Sequence, residues 1–376
     1  MIPFIDLQTQ RARIAERVDA AIARVLKHGQ YIFGPEVKEF EAKLAAFCGA
    51  KHGIGNANGT DALVLPLWAW GVGEGDAVFC PSFTFAATAE IVPWVNATPV
   101  FVDVLPDTYN MNPASLEAAI EGVQREGKLT PRVVIAVDLF GQPADYPKIA
   151  AIAKKHGLKL IADSAQGFGC TLDGKHPMHW ADATTTSFFP AKPLGCYGDG
   201  GATLTNDDAD NVMMRSIAFH GASGDDKYNC ARIGMNSRLD TIQAAILLEK
   251  LAIFEDEIRA RNDVAARYNA LLAGLVKTPH VIAGGVSSWA QYTIETENPD
   301  GLAAHLRAAE IPTARYYPKP LHVQSAYREF PLGAGGMKVS EDIAKRVISL
   351  PMHPYLEAAA QERIAGAVRD FVKAGG

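Results

Sequence analysis

In residues 132–162, the apolar run Arg132-Val-Val-Ile-Ala-Val-Asp-Leu139 is followed by a helix-like segment and then by a second apolar run, Leu158-Lys-Leu-Ile-Ala162. An apolar run, a helix and a second apolar run in this order are typical of two parallel strands joined by a crossover helix. Other short apolar runs lie at 77–80, 99–104 and 184–189, and other helix-like segments at 113–125 and 144–156. The sequence therefore predicts an α/β fold, with a mostly parallel sheet sandwiched by helices.

The regions on either side of this sheet follow other patterns. Residues 10–28 carry apolar side chains at helical spacing, which predicts one amphipathic helix, and a second helix is predicted after Gly34-Pro35. A long polar helix is predicted over about 238–271, where we expect it to connect two domains. Beyond it, the sequence predicts a compact α+β unit with strands at 289–295 and 313–317 and helices near 300–309 and 356–373.

We therefore expect two domains. The first, residues 1–245, is a large α/β domain that includes the N-terminal helix, and the second, residues 246–376, holds the connector helix and a smaller C-terminal α+β domain.

The composition excludes several classes of protein. The chain has 376 residues, of which 48% are hydrophobic and 21% charged, so it can bury a sizeable core. Lys and Arg (36) against Asp and Glu (42) give a net charge of −6 with no block of like charge, which argues against a nucleic-acid partner. No apolar run approaches the roughly 20 residues that span a bilayer, and the N-terminus lacks the pattern of a secretory signal. We expect a cytoplasmic protein with no membrane partner.

The five cysteines are scattered along the chain and form no C-x-x-C pair. Their odd number and wide spacing argue against a disulfide framework and against a metal site. We expect reduced thiols and no bound metal.

Lys192 stands in Ser187-Phe-Phe-Pro-Ala-Lys192-Pro, at the mouth of an apolar strand and between two prolines. A desolvated lysine loses its charge more readily and can form a Schiff base with a carbonyl group. Its ammonium group could instead reach water past a proline-rich turn, and this second interpretation is favoured when the residue is considered alone.

Asp163 follows the apolar run 158–162, so it lies where parallel sheets bind their ligands. A carboxylate in that place can pair with the pyridine nitrogen of pyridoxal phosphate and keep it protonated. The alternative is a helix N-cap, a position that aspartate also favours.

Gly53-Ile-Gly-Asn-Ala-Asn-Gly59-Thr60 opens the first helix of the α/β region. Free N–H groups at a helix start, together with the Thr60 hydroxyl, can hold a phosphate. The third glycine comes one residue too late for the dinucleotide pattern G-x-G-x-x-G, so we infer a single phosphate, with a plain helix cap as the alternative. Phe85 follows the strand at 77–80 and can stack on an aromatic cofactor or belong to the core.

Several segments in a fixed order carry a resemblance to a known family. They are Gly59-Thr60, the segment 81–88, Asp163-x-Ala-Gln166, Ser187-Phe-Phe-Pro-x-Lys192, Gly198-x-Gly-Gly-Ala202, Gly234-Met-Asn236-Ser-Arg238-Leu-x-x-x-Gln243 and Tyr316-Tyr-Pro-Lys-Pro-Leu-His322. Together they resemble the sugar-nucleotide aminotransferases of the DegT/DnrJ/EryC1/StrS family, which are pyridoxal phosphate enzymes of fold type I. The resemblance covers nearly the whole chain, and an ordered set of this length is specific.

The resemblance implies a role for each matching residue. Lys192 would carry the cofactor and then move a proton between substrate and cofactor, Asp163 would pair with the pyridine nitrogen, and Gln166 would reach the phenolic oxygen. The phosphate would be held by Gly59, Thr60 and Ser187, Phe85 would stack on the ring, and Asn236 would come from the partner subunit of a homodimer with shared active sites. The substrate side would be lined by Arg238, Tyr317, Lys319 and His322.

The resemblance also implies a reaction. Members of the family that dehydrate sugars carry histidine where this chain has Lys192, so lysine indicates transamination. An amino group would pass from L-glutamate to a nucleotide-linked keto sugar, in two half-reactions. Three segments, Leu194–Gly201, Ala290–Ile294 and Tyr317–His322, look most like those of enzymes that act on UDP-2-acetamido-2-deoxy-3-keto-glucuronic acid. Such a substrate implies a role in surface polysaccharide biosynthesis. A 4-keto-6-deoxy sugar nucleotide, and a non-catalytic regulator on the same fold, are the alternatives.

Overall fold

The structure, a computed structural model, describes residues 2–223 and 226–375. Its α-helices within these residues are α1 Leu7–Arg13, α2 Ala15–His28, α3 Pro35–Cys48, α4 Gly59–Ala69, α5 Ala87–Trp94, α6 Pro113–Glu126, α7 Tyr146–His156, α8 Asp208–Ala218, α9 Thr241–Leu272, α10 Pro299–Ala308, α11 Lys338–Arg346 and α12 Ala358–Lys373. Its strands are β1 His52–Asn56, β2 Asp76–Pro81, β3 Thr98–Val102, β4 Thr130–Val137, β5 Lys159–Asp163, β6 Thr171–Leu172, β7 Ala183–Ser187, β8 Gly201–Thr205, β9 Ala222–Ser223, β10 Asp226–Cys230, β11 Gly285–Val286, β12 Tyr292–Glu295 and β13 Val347–Leu350.

Seven strands form the central sheet, in the order β1-β8-β7-β5-β4-β2-β3. The pairs from β7 through β3 are parallel, and only β8 and β1 add antiparallel pairs at one edge. The predicted mostly parallel sheet is therefore confirmed. Each apolar run of the sequence became one strand of it, while the polar and glycine-containing strands β1 and β8 gave no such signal.

Both faces of the sheet are covered by helices, which explains why β2, β3, β4 and β5 are mainly apolar, whereas β7 is Ala-Thr-Thr-Thr-Ser with its three threonines buried. Along β4, Val134 and Ala136 pack with α6 and α7 on one face. The alternate residues Val133 and Ile135 pack with α4 and α5 on the other face. Because side chains alternate along a strand, a strand buried on both faces, such as β4, carries apolar residues on both sides of the sheet.

The C-terminal region builds its own core. The antiparallel pair β12–β13 packs with α10, α12 and the second half of α9 around Tyr268, Tyr292 and Ile348. The first half of α9 instead packs on the large unit through Leu247 and Phe254. The predicted division at residue 245 stays a prediction, and this packing supports a division within α9. Of the helices that the described residues form, none combines the length and the apolar character needed to cross a bilayer.

Two details of the predicted secondary structure were wrong. The helix expected over 10–28 is two helices, because the backbone of Ile14 leaves the helical conformation between α1 and α2. The strand expected over 313–317 is a single bridge between Ala314 and Ser349. The prolines at 312 and 318 lack backbone donors, so they limit how far this pairing can extend at either end.

A buried carboxylate fastens the start of α11 to the end of β3. Asp103 accepts hydrogen bonds from the Val339 N–H (2.9 Å), the Ser340 N–H (2.9 Å) and the Ser340 hydroxyl (2.7 Å). Removing the Asp103 carboxylate would leave three donors, two N–H groups and one hydroxyl, without their acceptor. Each buried donor left unpaired lowers the free energy of unfolding.

We expect Asp103→Ala to lower the free energy of unfolding by about 2–4 kcal/mol, since it strips a helix start of its acceptor and leaves buried donors unpaired. The matched control is Asp107→Ala, where an exposed carboxylate accepts only the N–H of the next residue (2.8 Å) and a loss below about 1 kcal/mol is expected. Urea unfolding measures both. Equal losses in the two variants would contradict the role given to Asp103.

Candidate active site

Lys192 stands on a loop between β7 and β8 that is closed by backbone hydrogen bonds. Phe188 donates to the Gly200 carbonyl (2.8 Å) and its own carbonyl accepts from Cys196 (2.8 Å). The Lys192 N–H donates to the Phe189 carbonyl (2.8 Å). These bonds fix the backbone on both sides of the lysine.

Lys192 as a whole residue is half-buried, and among the described residues its amine has no hydrogen-bond or ion-pair partner. Burial lowers the pKa of this amine, and the nearby charge of Asp163 opposes the shift. An amine with a lowered pKa is neutral more often near neutral pH, and a neutral amine is the nucleophilic form. The site therefore favours the reactive form of this lysine.

Asp163 ends β5 and is buried, with only 4% of its surface exposed. Its carboxylate accepts hydrogen bonds from the Thr88 hydroxyl (2.9 Å) and the Ala165 N–H (3.2 Å). Burial raises its pKa, whereas these two donors and the Lys192 charge act in the opposite direction. The residues that follow Asp163 form turns, so the N-cap alternative is wrong. A cation or an N–H donor placed beside this carboxylate would hold it in the charged form.

A second group of residues meets where α4 begins. The Asn58 side chain caps the helix by accepting from the Asp61 N–H (2.8 Å), which leaves the N–H groups of Gly59 and Thr60 without an intrahelical acceptor. A Cβ on Gly59 would lie 2.6 Å from the Ser187 Cβ, so only glycine lets the helix start approach the end of β7 this closely. The start of α4 thus brings free backbone N–H groups and the Thr60 side chain next to Ser187, an arrangement suited to a phosphate.

Phe85 and Tyr317 form the aromatic part of the site. Phe85 is 54% exposed, and its ring centroid lies 6.4 Å from that of Tyr317. Exposure on this scale is unusual for a phenylalanine, and an exposed ring is available for stacking on a ligand. The alternative that Phe85 belongs to the core is therefore wrong.

Gln166 is buried and already has two partners. Its Oε1 accepts from the Phe140 N–H (3.0 Å), and its Nε2 donates to the Tyr317 hydroxyl (3.1 Å). An amide nitrogen carries two hydrogens, so one donor remains for a ligand.

His322 has both ring nitrogens engaged. Nδ1 lies 2.6 Å from the Ser82 hydroxyl, and Nε2 lies 3.1 Å from a carboxylate oxygen of Glu341. Because the ring is buried and has both partners, it fixes its segment against the end of β2 and leaves no nitrogen for a substrate. Lys319, three residues earlier, is exposed, and no ion pair to its amine occurs in the described part of the chain.

The structure does not bring Asn236 and Arg238 into contact with the Lys192 site through any hydrogen bond or ion pair within the described chain. Asn236 is exposed, with a backbone bridge to Phe219. The Arg238 guanidinium lies over two aromatic rings, 6.0 Å from the centroid of Phe33 and 5.5 Å from that of Phe219. Arg238 thus lies next to an exposed apolar segment, Tyr31-Ile-Phe33.

Sequence reasoning missed Thr88 and Asp138. Thr88 lies three residues after Phe85, in a segment that the sequence did point to, but nothing local shows that its hydroxyl meets Asp163. Asp138 follows β4 and is fully buried, accepting from the Tyr146 hydroxyl (2.7 Å), the Ala144 N–H (3.1 Å) and the Ser164 hydroxyl (2.5 Å). Burial raises its pKa to about 7, against the effect of these donors. The rule that inspects the carboxyl ends of parallel strands would have found it.

These groups fit pyridoxal phosphate. An unpartnered amine matches its aldehyde, a buried carboxylate its pyridine nitrogen, a helix start with two hydroxyls its phosphate, and an exposed aromatic ring its flat ring system. The fit rests on four separate elements, α4, α5, β5 and β7, which converge on one edge of the sheet.

The chain is similar to several known proteins over nearly its full length. It is 50% identical over 371 residues to the UDP-2-acetamido-2-deoxy-3-oxo-D-glucuronate aminotransferase of Pseudomonas aeruginosa, covering 98% of this chain and 99% of that protein. Among solved structures, a DegT DnrJ EryC1 StrS aminotransferase from Brucella abortus is 55% identical, with a TM-score of 0.97 and 99% of both chains covered. The NtdA protein of Bacillus subtilis, solved with its bound cofactor PMP, is 27% identical, with a TM-score of 0.86, covering 98% of this chain and 83% of its own.

The sequence model of one family matches residues 12–369. Together with these relatives, it confirms the predicted family and the predicted α/β fold. The chain belongs to the DegT/DnrJ/EryC1/StrS aminotransferase family.

Proposed function

We propose that this protein is a pyridoxal phosphate-dependent aminotransferase that moves an amino group from L-glutamate to a nucleotide-linked keto sugar. The preferred acceptor is UDP-2-acetamido-2-deoxy-3-keto-glucuronic acid, used for the biosynthesis of surface polysaccharides. The observation that carries the proposal is the Lys192 amine, which is unpartnered among the described residues and faces the charge of the buried Asp163. The relatives that support it are those named above.

Each residue of the site has a distinct task in this reaction. Bound pyridoxal phosphate supplies an electron sink for the pair left behind when a substrate carbon loses its proton. Lys192 Nζ would hold the cofactor through its aldehyde carbon, and the same amine would move the proton between substrate and cofactor. Asp163 keeps the pyridine nitrogen protonated, and Thr88 orients the carboxylate that does so. Gly59, Thr60 and Ser187 hold the phosphate end.

The preference for a uronic acid rests on the Pseudomonas relative and on the charge of the substrate side. A sugar carboxylate adds a negative charge that needs a cationic partner when it leaves water. His322 is engaged by Ser82 and Glu341, so Lys319 is the better candidate within the segment 316–322. Arg238, which faces only aromatic rings in the described chain, is the second cation available for a carboxylate or phosphate.

A homodimer with shared active sites completes the proposal. Asn236 and Arg238 are too poorly connected to the Lys192 site to serve it within one chain, yet the family resemblance gives both a role there. The exposed segment Tyr31-Ile-Phe33, next to Arg238, offers apolar surface of the kind that subunit interfaces cover. We therefore assign Asn236 to the phosphate site of the partner subunit.

The reaction is tested by incubating the protein with L-glutamate and a panel of UDP- and dTDP-linked keto sugars, with mass spectrometry of the products. We expect 2-oxoglutarate and an equal amount of a UDP-linked 3-amino uronic acid. Lys192→Ala should lower the rate at least about 10³-fold, because it removes both the covalent link and the proton carrier. Lys148→Ala, which removes an exposed lysine paired only with Asp145, is the matched control and should have no effect.

Two outcomes of this experiment would contradict the proposal. Failure to form 2-oxoglutarate with every sugar would overturn the aminotransferase assignment. Amination restricted to 4-keto-6-deoxy sugars would overturn the choice of substrate only.

The role of Asp163 predicts a pH effect on cofactor binding. Burial raises the pKa of this carboxyl, and the Thr88 hydroxyl stabilises its charged form. Thr88→Val should therefore raise that pKa further, so that affinity for pyridoxal phosphate is lost at a higher pH as the solution is acidified. We expect a shift of up to about one pH unit, which corresponds to about 1.4 kcal/mol.

The measurement is a titration of cofactor binding by absorbance between acid and neutral pH. Thr186→Val is the matched control, since its hydroxyl donates to the Ser164 carbonyl (3.3 Å) and not to Asp163. If Thr88→Val loses affinity for the cofactor at the same acidic pH as the wild type, the pairing of Asp163 with the cofactor is contradicted.

Shared active sites predict recovery of activity between two damaged subunits. Asn236→Asp places a negative charge beside the phosphate and should inactivate the site to which this residue contributes. A mixture of Asn236→Asp and Lys192→Ala subunits, refolded together in equal amounts, should regain about a quarter of the wild-type rate, because half of the dimers are hybrids and one of their two sites is intact. A mixture no more active than its parents would show that Asn236 serves its own chain.

A further inference from the structure

Lys250 is a buried lysine that takes no part in the reaction described above. It lies on α9 with 2% of its surface exposed. Its ammonium donates a hydrogen bond to the Gly195 carbonyl (2.6 Å) and lies 4.3 Å from the ring centroid of Tyr197. Burying a lysine is costly unless its charge is well partnered, so this contact is a specific one.

Both partners of Lys250 belong to the loop that carries Lys192. Gly195 lies three residues after the lysine, where the loop folds back so closely that a Cβ would lie 2.5 Å from the Pro190 carbonyl oxygen. The next residue, Cys196, donates its N–H to the Phe188 carbonyl (2.8 Å). The loop thus turns back on itself, and Gly195 packs against the backbone of residues 188–190, just before Lys192.

A second side chain of α9 holds the same loop. The Gln243 Oε1 accepts a hydrogen bond from the Tyr197 N–H (2.9 Å). Gln243 and Lys250 are seven residues apart, which is two helical turns, so they project from the same face of the helix. This face of α9 therefore grips Gly195 through a donor and Tyr197 through an acceptor.

We propose that Lys250, assisted by Gln243, is a positioning residue that fixes the backbone of the 188–200 loop and so sets where the Lys192 amine stands. The inference deepens the proposed function and rests on it for the catalytic consequence. The grip comes from α9, whose second half packs in the core of the C-terminal unit through Ala265 and Tyr268. The helix therefore links the position of the reactive lysine to the packing of that unit.

The charge environment of Lys250 fits this role. Burial lowers its pKa to about 8, while Glu257 on its own helix and Cys196 on the loop oppose the shift. The ammonium form therefore predominates at neutral pH and can both donate to a carbonyl and face an aromatic ring.

The test compares Lys250→Met with the wild type, as full-length protein without added cofactor, by hydrogen exchange read on the peptide that contains residues 188–201. Methionine keeps the length and removes the donor and the charge. We expect the Cys196 and Tyr197 amides to exchange at least about tenfold faster, with no change in peptides from β12 and β13. In the cofactor-loaded enzyme we expect kcat to fall about tenfold and KM for the keto sugar to stay unchanged, since the lysine acts on Lys192 and not on substrate binding.

The matched control is Lys277→Met. Lys277 also donates to a backbone carbonyl, that of Pro106 (2.5 Å), and lies 5.5 Å from the Tyr109 ring centroid, but it has no bond to the Lys192 loop among the described contacts. Its removal should leave the exchange of the 188–201 peptide unchanged. If Lys250→Met does not fold, Gln243→Leu removes the second anchor and is read in the same way.

Unchanged exchange of the 188–201 peptide in the folded variants would overturn the positioning role. Faster exchange with wild-type kcat would overturn its link to catalysis. The exchange measurement does not depend on the reaction. A wild-type protein that fails to aminate any sugar would contradict the proposed function, and hydrogen exchange alone would then decide whether Lys250 fixes the loop.

Discussion

The Lys192 amine and the buried Asp163 carboxylate lie close enough at the edge of the sheet to influence each other's charge, and the rest of the site is arranged around this pair. Burial disfavours the charged form of both groups: it lowers the pKa of Lys192 and raises that of Asp163. The two opposite charges attract each other, so the Asp163 charge raises the pKa of Lys192 and the Lys192 charge lowers that of Asp163. Hydrogen bonds from Thr88 and Ala165 keep the carboxylate partly compensated, while the amine has no such partner among the described residues. The site thus holds a reactive base, the Lys192 amine, near a hydrogen-bond acceptor, the Asp163 carboxylate.

The parallel sheet makes this juxtaposition possible. Strands β2, β4, β5 and β7 all end at the same edge, and the residues there are Ser82, Asp138, Asp163 and Ser187. Asp138 does not belong to the pair itself. It anchors Ser164 and Tyr146 beside the loop that follows β5, and so stiffens the backbone next to Asp163. Function at this edge depends on a layer of buried polar contacts beneath the groups that meet ligands.

Helix α9 gives the two cores a common element. Its first half packs on the large unit, its second half lies in the core of the C-terminal unit, and its polar side chains Gln243 and Lys250 reach the loop of the reactive lysine. A single rigid helix can therefore couple the packing of one unit to the geometry of a site in the other. The substrate-side segment 316–322 is tied to the sheet in a similar way, through His322 and Ser82.

Local sequence patterns predicted most of the α/β architecture, since the runs at 77–80, 99–104, 132–139, 158–162 and 184–189 became β2, β3, β4, β5 and β7. Strands β2 to β5 are mainly apolar because they are buried on both faces, which leaves a clear local signal, whereas the three buried threonines of β7 leave a weaker one. The sequence also pointed to Lys192, Asp163 and the start of α4, because these residues follow strands or open a helix in a recognisable order. Three contacts could be seen only in the folded chain: Thr88 with Asp163, His322 with Ser82, and Lys250 with the Gly195 carbonyl of the Lys192 loop. Their residues are 75, 240 and 55 positions apart, respectively, and no local pattern encodes a partner that only chain folding brings near.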